Sequence, residues 1–127
     1  SAALKAGRMM CGKHKLIAVV QPHRYSRLAD LFVDFCGCFH DADEVLVADV
    51  YAAGETPIAG IDRDALVSGL RDHGHKAASA LLHRDDLASE IKARTSCGDL
   101  VMCLGAGDIT NWAANLPDEL EKLGEPE

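Results

Sequence analysis

The sequence predicts a small doubly wound α/β domain in three layers, with a mostly parallel sheet and helices on both faces. Three observations predict it. Short apolar, β-branched runs alternate along the chain with segments whose apolar residues recur every three or four positions. The runs are nearly continuous in apolar character, as strands covered on both faces are, and enough chain separates them for helical crossovers. Finally, 127 residues of which 48% are apolar make one domain that can bury roughly two thirds of its extended surface without disulfide or metal.

Lys15–Gln21 (KLIAVVQ) reads as the first buried strand, ended by Pro22, which cannot donate to a ladder. One helix is expected from Ser26 to Phe39, with Leu28, Leu31, Phe32, Phe35 and Phe39 on one face and Ser26 as its candidate cap. Glu44–Val50 (EVLVADV) is the second strand. After a glycine-containing loop over 51–60, Asp62 caps a helix to His73, with Leu66, Val67 and Leu70 inward and Gly74 as its stop. Between Lys76 and His83 the alanines leave strand and loop nearly level, and the spacing of the flanking helices favours a short strand. A helix from Asp85 or Asp86 to Arg94, a turn at Gly98-Asp99 and a buried strand Leu100–Leu104 follow. Gly105-Ala106-Gly107-Asp108 then opens a last helix holding Ile109, Trp112, Ala113 and Leu116. The order is Rossmann-like, so chemistry belongs to the loops beyond the strands' carboxyl ends: Gln21–Arg27, Asp49–Glu55 and Gly105–Asp108.

Composition narrows the function classes. Thirteen basic against twenty acidic residues, a formal charge of -7, disfavour a nucleic-acid or anionic-membrane partner. The acids gather in an expected helix end and tail at about 118–127. Five cysteines, odd in number and without a CxxC pair, argue against a disulfide scaffold or zinc site and for a reducing cytoplasm; Cys103 reads as a buried core thiol. The six histidines form no metal pattern, and His73-Gly74-His75 reads as capping carbonyls or facing water. No apolar stretch approaches a membrane span and no leader opens the chain. The abrupt start in helix-forming residues, Ser1–Ala6, suggests a fragment boundary.

Gln21-Pro22-His23-Arg24-Tyr25-Ser26-Arg27 gathers three potential cations and two hydroxyls where a strand passes into a helix. Cations there oppose the helix dipole by about 0.3–1 kcal/mol. The segment makes physical sense if an anion is shared by free backbone donors, Arg24 and Arg27. The alternative is that Arg27 pairs with Asp30, while His23 and Tyr25 fill the core edge. Asp49, Tyr51 and Glu55 in DVYAAGE either orient a ligand, hold Mg²⁺ through water or contact a partner domain, or else cap backbone donors and face solvent. Gly105 and Gly107 permit either a close backbone approach or a tight turn, and the segment has neither GxGxxG nor P-loop spacing.

These stretches, in this order, resemble the cytoplasmic Mur ligases of peptidoglycan synthesis, and among them the branch that adds L-alanine. Gln21–Arg27 resembles that family's QPHRYSR segment, Asp49–Glu55 followed by Pro57-Ile58 its DVYxAGE segment, and Gly105–Ile109 its GAGxI turn. The resemblance implies a three-domain parent: a UDP-sugar domain, a central P-loop ATPase, and a C-terminal domain that closes over ATP and helps bind the amino acid. This chain is similar to most of the third. The implied reaction activates the lactyl carboxylate of UDP-N-acetylmuramate as an acyl phosphate with ATP and Mg²⁺, after which L-alanine attacks to give the amide. By resemblance His23, Arg24 and Arg27 bind substrate, and Tyr25, Asp49, Tyr51, Glu55, Gly105 and Gly107 face the closing site. The P-loop lysine, magnesium ligands and DDYxHHP-like lead-in are absent from the sequence. Residues 1–127 are therefore expected to be one C-terminal domain fragment, inactive alone, with no tightly bound cofactor and with the parent's other two domains as partners. A non-catalytic binding or protein-interaction domain derived from this fold is the competing expectation. A generic regulatory α/β domain would leave the paired arginines without a purpose.

Overall fold

Four parallel strands, β1 (Leu16–Val20), β2 (Glu44–Val47), β3 (Ala78–Ala80) and β4 (Leu100–Leu104), form one sheet in the order β3-β2-β1-β4. The structure, a computed structural model, describes residues 2–75, 77–96, 98–105 and 109–124, and only the backbone of residues 2, 3 and 122–124. Alternation along β1 sends Leu16, Ala18 and Val20 to one face and Ile17 and Val19 to the other, and all five are buried. That is why the run carries no polar residue.

The first face packs against α1 (Ala2–Cys11), α2 (Tyr25–Asp30), α3 (Phe32–Gly37) and α4 (Arg63–Asp72), through Leu4, Leu28, Cys36, Phe39, Leu66 and Leu70. The second packs against α5 (Leu87–Arg94) and α6 (Ile109–Gly124), through Leu87, Ile91, Ile109 and Leu116. Each fully buried leucine or isoleucine contributes roughly 1.5–3 kcal/mol. The expected cap holds: Asp62 accepts the Ala65 N–H at 2.8 Å, ahead of α4.

The single helix expected over 26–39 is two short ones. The backbone leaves helical geometry at Leu31 (φ -111°, ψ 15°), and Cys36 is buried while Leu31, Phe32 and Phe35, expected inward, are half-buried. A Cβ on Gly69 of α4 would collide with Cys36 Sγ and stand 3.2 Å from the Phe32 ring, so α3 lies tight against α4 at the bare backbone of Gly69. β4 is a sheet edge with all five residues half-buried rather than fully buried, Cys103 included. Ala113 is exposed, because α6 turns Ile109 and Leu116 inward instead. Of the expected acidic tail, residues 118–124 are helical and Glu119 is tied to Arg84; 125–127 lie outside the described residues.

At the amino ends of the strands, away from the loops of interest, carboxylates secure the frame. Asp43 accepts the Leu16 N–H and Arg8 Nη2, each at 2.7 Å, and Asp99 accepts the Lys15 N–H at 2.9 Å.

Candidate functional site

The chain crosses the sheet from β1 through β2 to β3, then returns to lay β4 on the other side of β1. The loops leaving β1 and β4 therefore diverge, which opens the crevice where open α/β sheets take their ligands. A cleft of about 400 Å³ lies there, with Pro22, His23 and Arg27 along one wall and Phe35, Phe39 and Gly105 among the rest.

Gln21 organises its floor. Its backbone N–H continues the β1–β4 ladder to the Leu104 carbonyl at 2.9 Å, and its buried Oε1 accepts the first described N–H of α6, Ile109, at 3.1 Å. Gly105, at φ 155°, passes so close that a Cβ there would be 2.7 Å from the Gln21 carbonyl oxygen. Close backbone approach is therefore the role of Gly105. Gly107, its companion candidate, lies outside the described residues, as do Ala106 and Asp108.

The loops after β1 and β2 are joined by their own backbone. Tyr51 N–H donates to the Pro22 carbonyl at 2.8 Å and Arg24 N–H to the Tyr51 carbonyl at 2.7 Å, while the His23 and Tyr51 rings stack 5.5 Å apart at 12°. Farther along, Glu55 bends back through a turn closed by its N–H on the Ala52 carbonyl at 3.0 Å. Its carboxylate then takes both donors of Ser26, the N–H at 3.1 Å and the hydroxyl at 2.5 Å. The Ser26 hydroxyl and N–H, the Tyr25 N–H and the charge of Arg24 hold Glu55 below the usual carboxylate range.

This corrects the expected anion site. The backbone donors assigned to a ligand at the start of the helix are used by Glu55 of the same chain, and Ser26 is the partner of that carboxylate rather than a cap. The guanidiniums are a different matter. Arg24 and Arg27 are exposed, and among the described residues neither forms an ion pair; the alternative pairing of Arg27 with Asp30 does not occur. Both line a shallow cleft of about 520 Å³ together with His23. Arg24 sits at φ 69°, ψ 138°, a conformation that costs an L-residue about 1–3 kcal/mol and is typical of sites rather than scaffolds. Tyr25 is half-buried.

Asp49 and Tyr51 look into a separate polar cleft of about 230 Å³ beyond β2 and β3, bordered by Arg84 and Trp112. Asp49 is ion-paired with Arg63 Nη1 at 2.9 Å. Arg84 grips Glu119 with two nitrogens, at 3.2 and 2.8 Å, and lies 5.5 Å over the Trp112 ring. Among the described residues no group of three or more His, Cys, Asp or Glu side chains is placed to hold a metal. Burial pushes the Cys36, Cys38 and Cys103 thiols up, the opposite of an activated nucleophile. His73 does cap a carbonyl, that of Gly69 at 2.8 Å, whereas His75 is buried with Nε2 on the Ala42 carbonyl at 2.9 Å.

Sequence reading placed Gln21 and Ser26 in the loop of interest without their partners, Ile109 and Glu55, and missed Arg63. Gln21 had a signal, being the one polar residue closing an apolar strand run. Arg63 had one as well: a cation in the first turn of a helix, where the dipole disfavours it.

No family model matches the chain. It is 60% identical, over 124 residues or 98% of its length, to the UDP-N-acetylmuramate–L-alanine ligase of Methylobacterium nodulans. It is 59% identical over 97% of its length to that of Acidiphilium cryptum, and 58% identical over 98% to that of Bradyrhizobium diazoefficiens. Over nearly its whole length the chain is similar to the UDP-N-acetylmuramate–L-alanine ligases. It spans about a quarter of the length of these relatives, 26% of each. The crevice at the end of β1 is edged by Arg24 and Arg27, neither of which forms an ion pair among the described residues.

Proposed function

We propose that this chain is the amino-acid clamp of an ATP-dependent ligase that joins L-alanine to UDP-N-acetylmuramate in peptidoglycan synthesis. Residues 1–127 then act as one C-terminal domain that closes over ATP and the amino acid, with the N-terminal and central domains of the same protein as partners. The observation that carries the reading is the exposed pair Arg24 and Arg27 on a loop pinned to its neighbour, unpaired among the described residues, in a chain 60% identical to such a ligase.

In the reaction ATP phosphorylates the lactyl carboxylate of the sugar nucleotide, releasing ADP. The neutral amine of L-alanine then attacks the acyl carbon, a C–N bond forms, the C–O bond to phosphate breaks and the amine loses its proton. A free amino acid has two nucleophilic ends, so the clamp must take the carboxylate and leave the amine free. Two guanidinium forks do this, since they donate to carboxylate oxygens and repel an ammonium. His23, stacked on Tyr51, walls the same pocket. The described residues do not fit a Mg²⁺ site, because Asp49 is paired with Arg63 and Glu55 with Ser26. The metal ligands of the parent reaction are expected in its other domains, and this chain alone is expected to turn over no ATP. Its setting is the cytoplasm, in keeping with Cys11, Cys36, Cys38 and Cys103 as free thiols; no helix among the described residues is long and apolar enough to cross a membrane.

The test is steady-state kinetics of the full ligase carrying Arg24→Ala or Arg27→Ala, varying L-alanine with ATP and UDP-N-acetylmuramate saturating. Losing a charged hydrogen bond of about 1.5–3 kcal/mol raises the KM for L-alanine about ten- to hundredfold. Lysine restores only part of this, because it keeps the charge and loses the fork. Unchanged alanine dependence in both alanine variants, with normal melting, overturns the clamp.

A further inference from the structure

Paired guanidiniums accept carboxylate and phosphate alike unless the charge around them is set. The cleft that holds Arg24 and Arg27 has one acidic lining residue, Asp30, which leaves one guanidinium charge unbalanced. Glu55 supplies a second negative charge from outside the lining, accepting from Ser26, which lies between the two arginines in the chain. Nothing local requires a carboxylate there: Ser26 is exposed, and water satisfies a serine hydroxyl equally well. The chain nevertheless builds a turn with two successive positive φ values, Ala53 at 51° and Gly54 at 87°, to bring Glu55 back onto it.

We propose that Glu55 is the specificity residue of the arginine pocket: its fixed charge selects a monoanionic carboxylate over dianionic phosphate or sulfate. This rests on the reading that Arg24 and Arg27 hold the ligand's carboxylate. The physical ground is that a fixed charge repels a dianion with twice the energy it spends on a monoanion at the same distance. Taking about 8 Å in water, one unit charge changes monoanion affinity about two- to threefold, and dianion affinity by the square of that factor, about sixfold. Discrimination of this kind suits a ligase clamp, which works beside phosphate groups while it must seat an amino acid. The hydrogen bonds from Ser26 and the charge of Arg24 keep Glu55 ionised throughout the neutral range.

The experiment follows the Arg Nε–Hε signals of the chain by NMR while acetate and sulfate are titrated separately at constant ionic strength. Wild type, Glu55→Gln, Glu55→Ala and Ser26→Ala are compared, each checked for folding by its amide spectrum. Glu55→Gln keeps the size of the side chain and removes the charge. It should strengthen acetate binding about two- to threefold and sulfate binding about sixfold, so the sulfate-to-acetate ratio rises about two- to threefold. Glu55→Ala, which loses the hydrogen bonds as well, should give the same shift of ratio. Ser26→Ala, which loses a hydrogen bond and keeps the charge, should leave the ratio where it is. An unchanged ratio in both Glu55 variants, or an equal shift in Ser26→Ala, overturns Glu55 as the selector while leaving the clamp intact. Anion titrations that do not respond to removing both arginines overturn the clamp itself, and the selector with it.

Discussion

Arg24 offers the sharpest separation of stability from function, because its backbone and its side chain answer to different demands. The residue is held at φ 69°, ψ 138° by the bond from its N–H to the Tyr51 carbonyl at 2.7 Å and by the Leu28 N–H on its own carbonyl at 3.1 Å. An L-residue there costs about 1–3 kcal/mol, and only glycine escapes it. Glycine in turn loses about 0.5–1 kcal/mol more chain entropy on folding. The difference, about 0–2.5 kcal/mol and about 1 kcal/mol at mid-range, leaves Arg24→Gly more stable than Arg24→Ala. Because the side chain is exposed, Arg24→Ala should stay within about 0.5 kcal/mol of the parent sequence. For a domain of this size each kcal/mol moves the melting temperature by about 3–5 °C. Urea unfolding and thermal melts of the three proteins measure the series. In the full ligase the two variants should lose alanine affinity alike, so the glycine variant becomes a more stable and poorer enzyme. If Arg24→Gly is no more stable than Arg24→Ala, the strain is absent and the argument that function holds this residue in place fails.

Two further outcomes test the frame. Gly69→Ala should gain about 1 kcal/mol of helix propensity but lose about 1–3 kcal/mol to overpacking against Cys36 and Phe32, for a net loss in urea unfolding. Adding Cys36→Ala should recover much of that loss, and its failure to do so would deny the α3–α4 contact. Asp43 bears on acid stability. Burial pushes its carboxyl up, but the hydrogen bond from Arg8, the Leu16 N–H and the charges of Arg8 and Lys15 outweigh this and hold it below the usual range. A depressed folded value means stability that is present above the ordinary carboxylate pKa and is lost as pH falls through the folded one. Asp43→Asn should therefore melt below wild type near neutrality, with the gap closing between about pH 5 and pH 2. A gap independent of pH would show that the carboxylate's charge contributes nothing.

What sequence alone determined follows from periods that are local. The apolar runs at Leu16–Val20 and Leu100–Leu104 need only their own residues to declare themselves strands, and Asp62 with Leu66, Val67 and Leu70 declares a capped helix within a few positions. The loops beyond the strands' carboxyl ends were legible for the same reason: in a parallel sheet they follow the strands, wherever the strands lie. Legibility ended where a residue's role depends on a partner far along the chain. Ser26 and Glu55 stand 29 positions apart, and Gln21 and Ile109 stand 88 apart. Whether such pairs meet is decided by the strand order β3-β2-β1-β4, which no local pattern encodes. The same holds for the break at Leu31, and for β4, whose apolar composition does not say that it would be an edge. Sequence thus named the arginines. Only the packed sheet decided that Glu55 would take the backbone donors beside them and leave their guanidiniums free, because a carboxylate finds its donor through the fold and not through its neighbours in the chain.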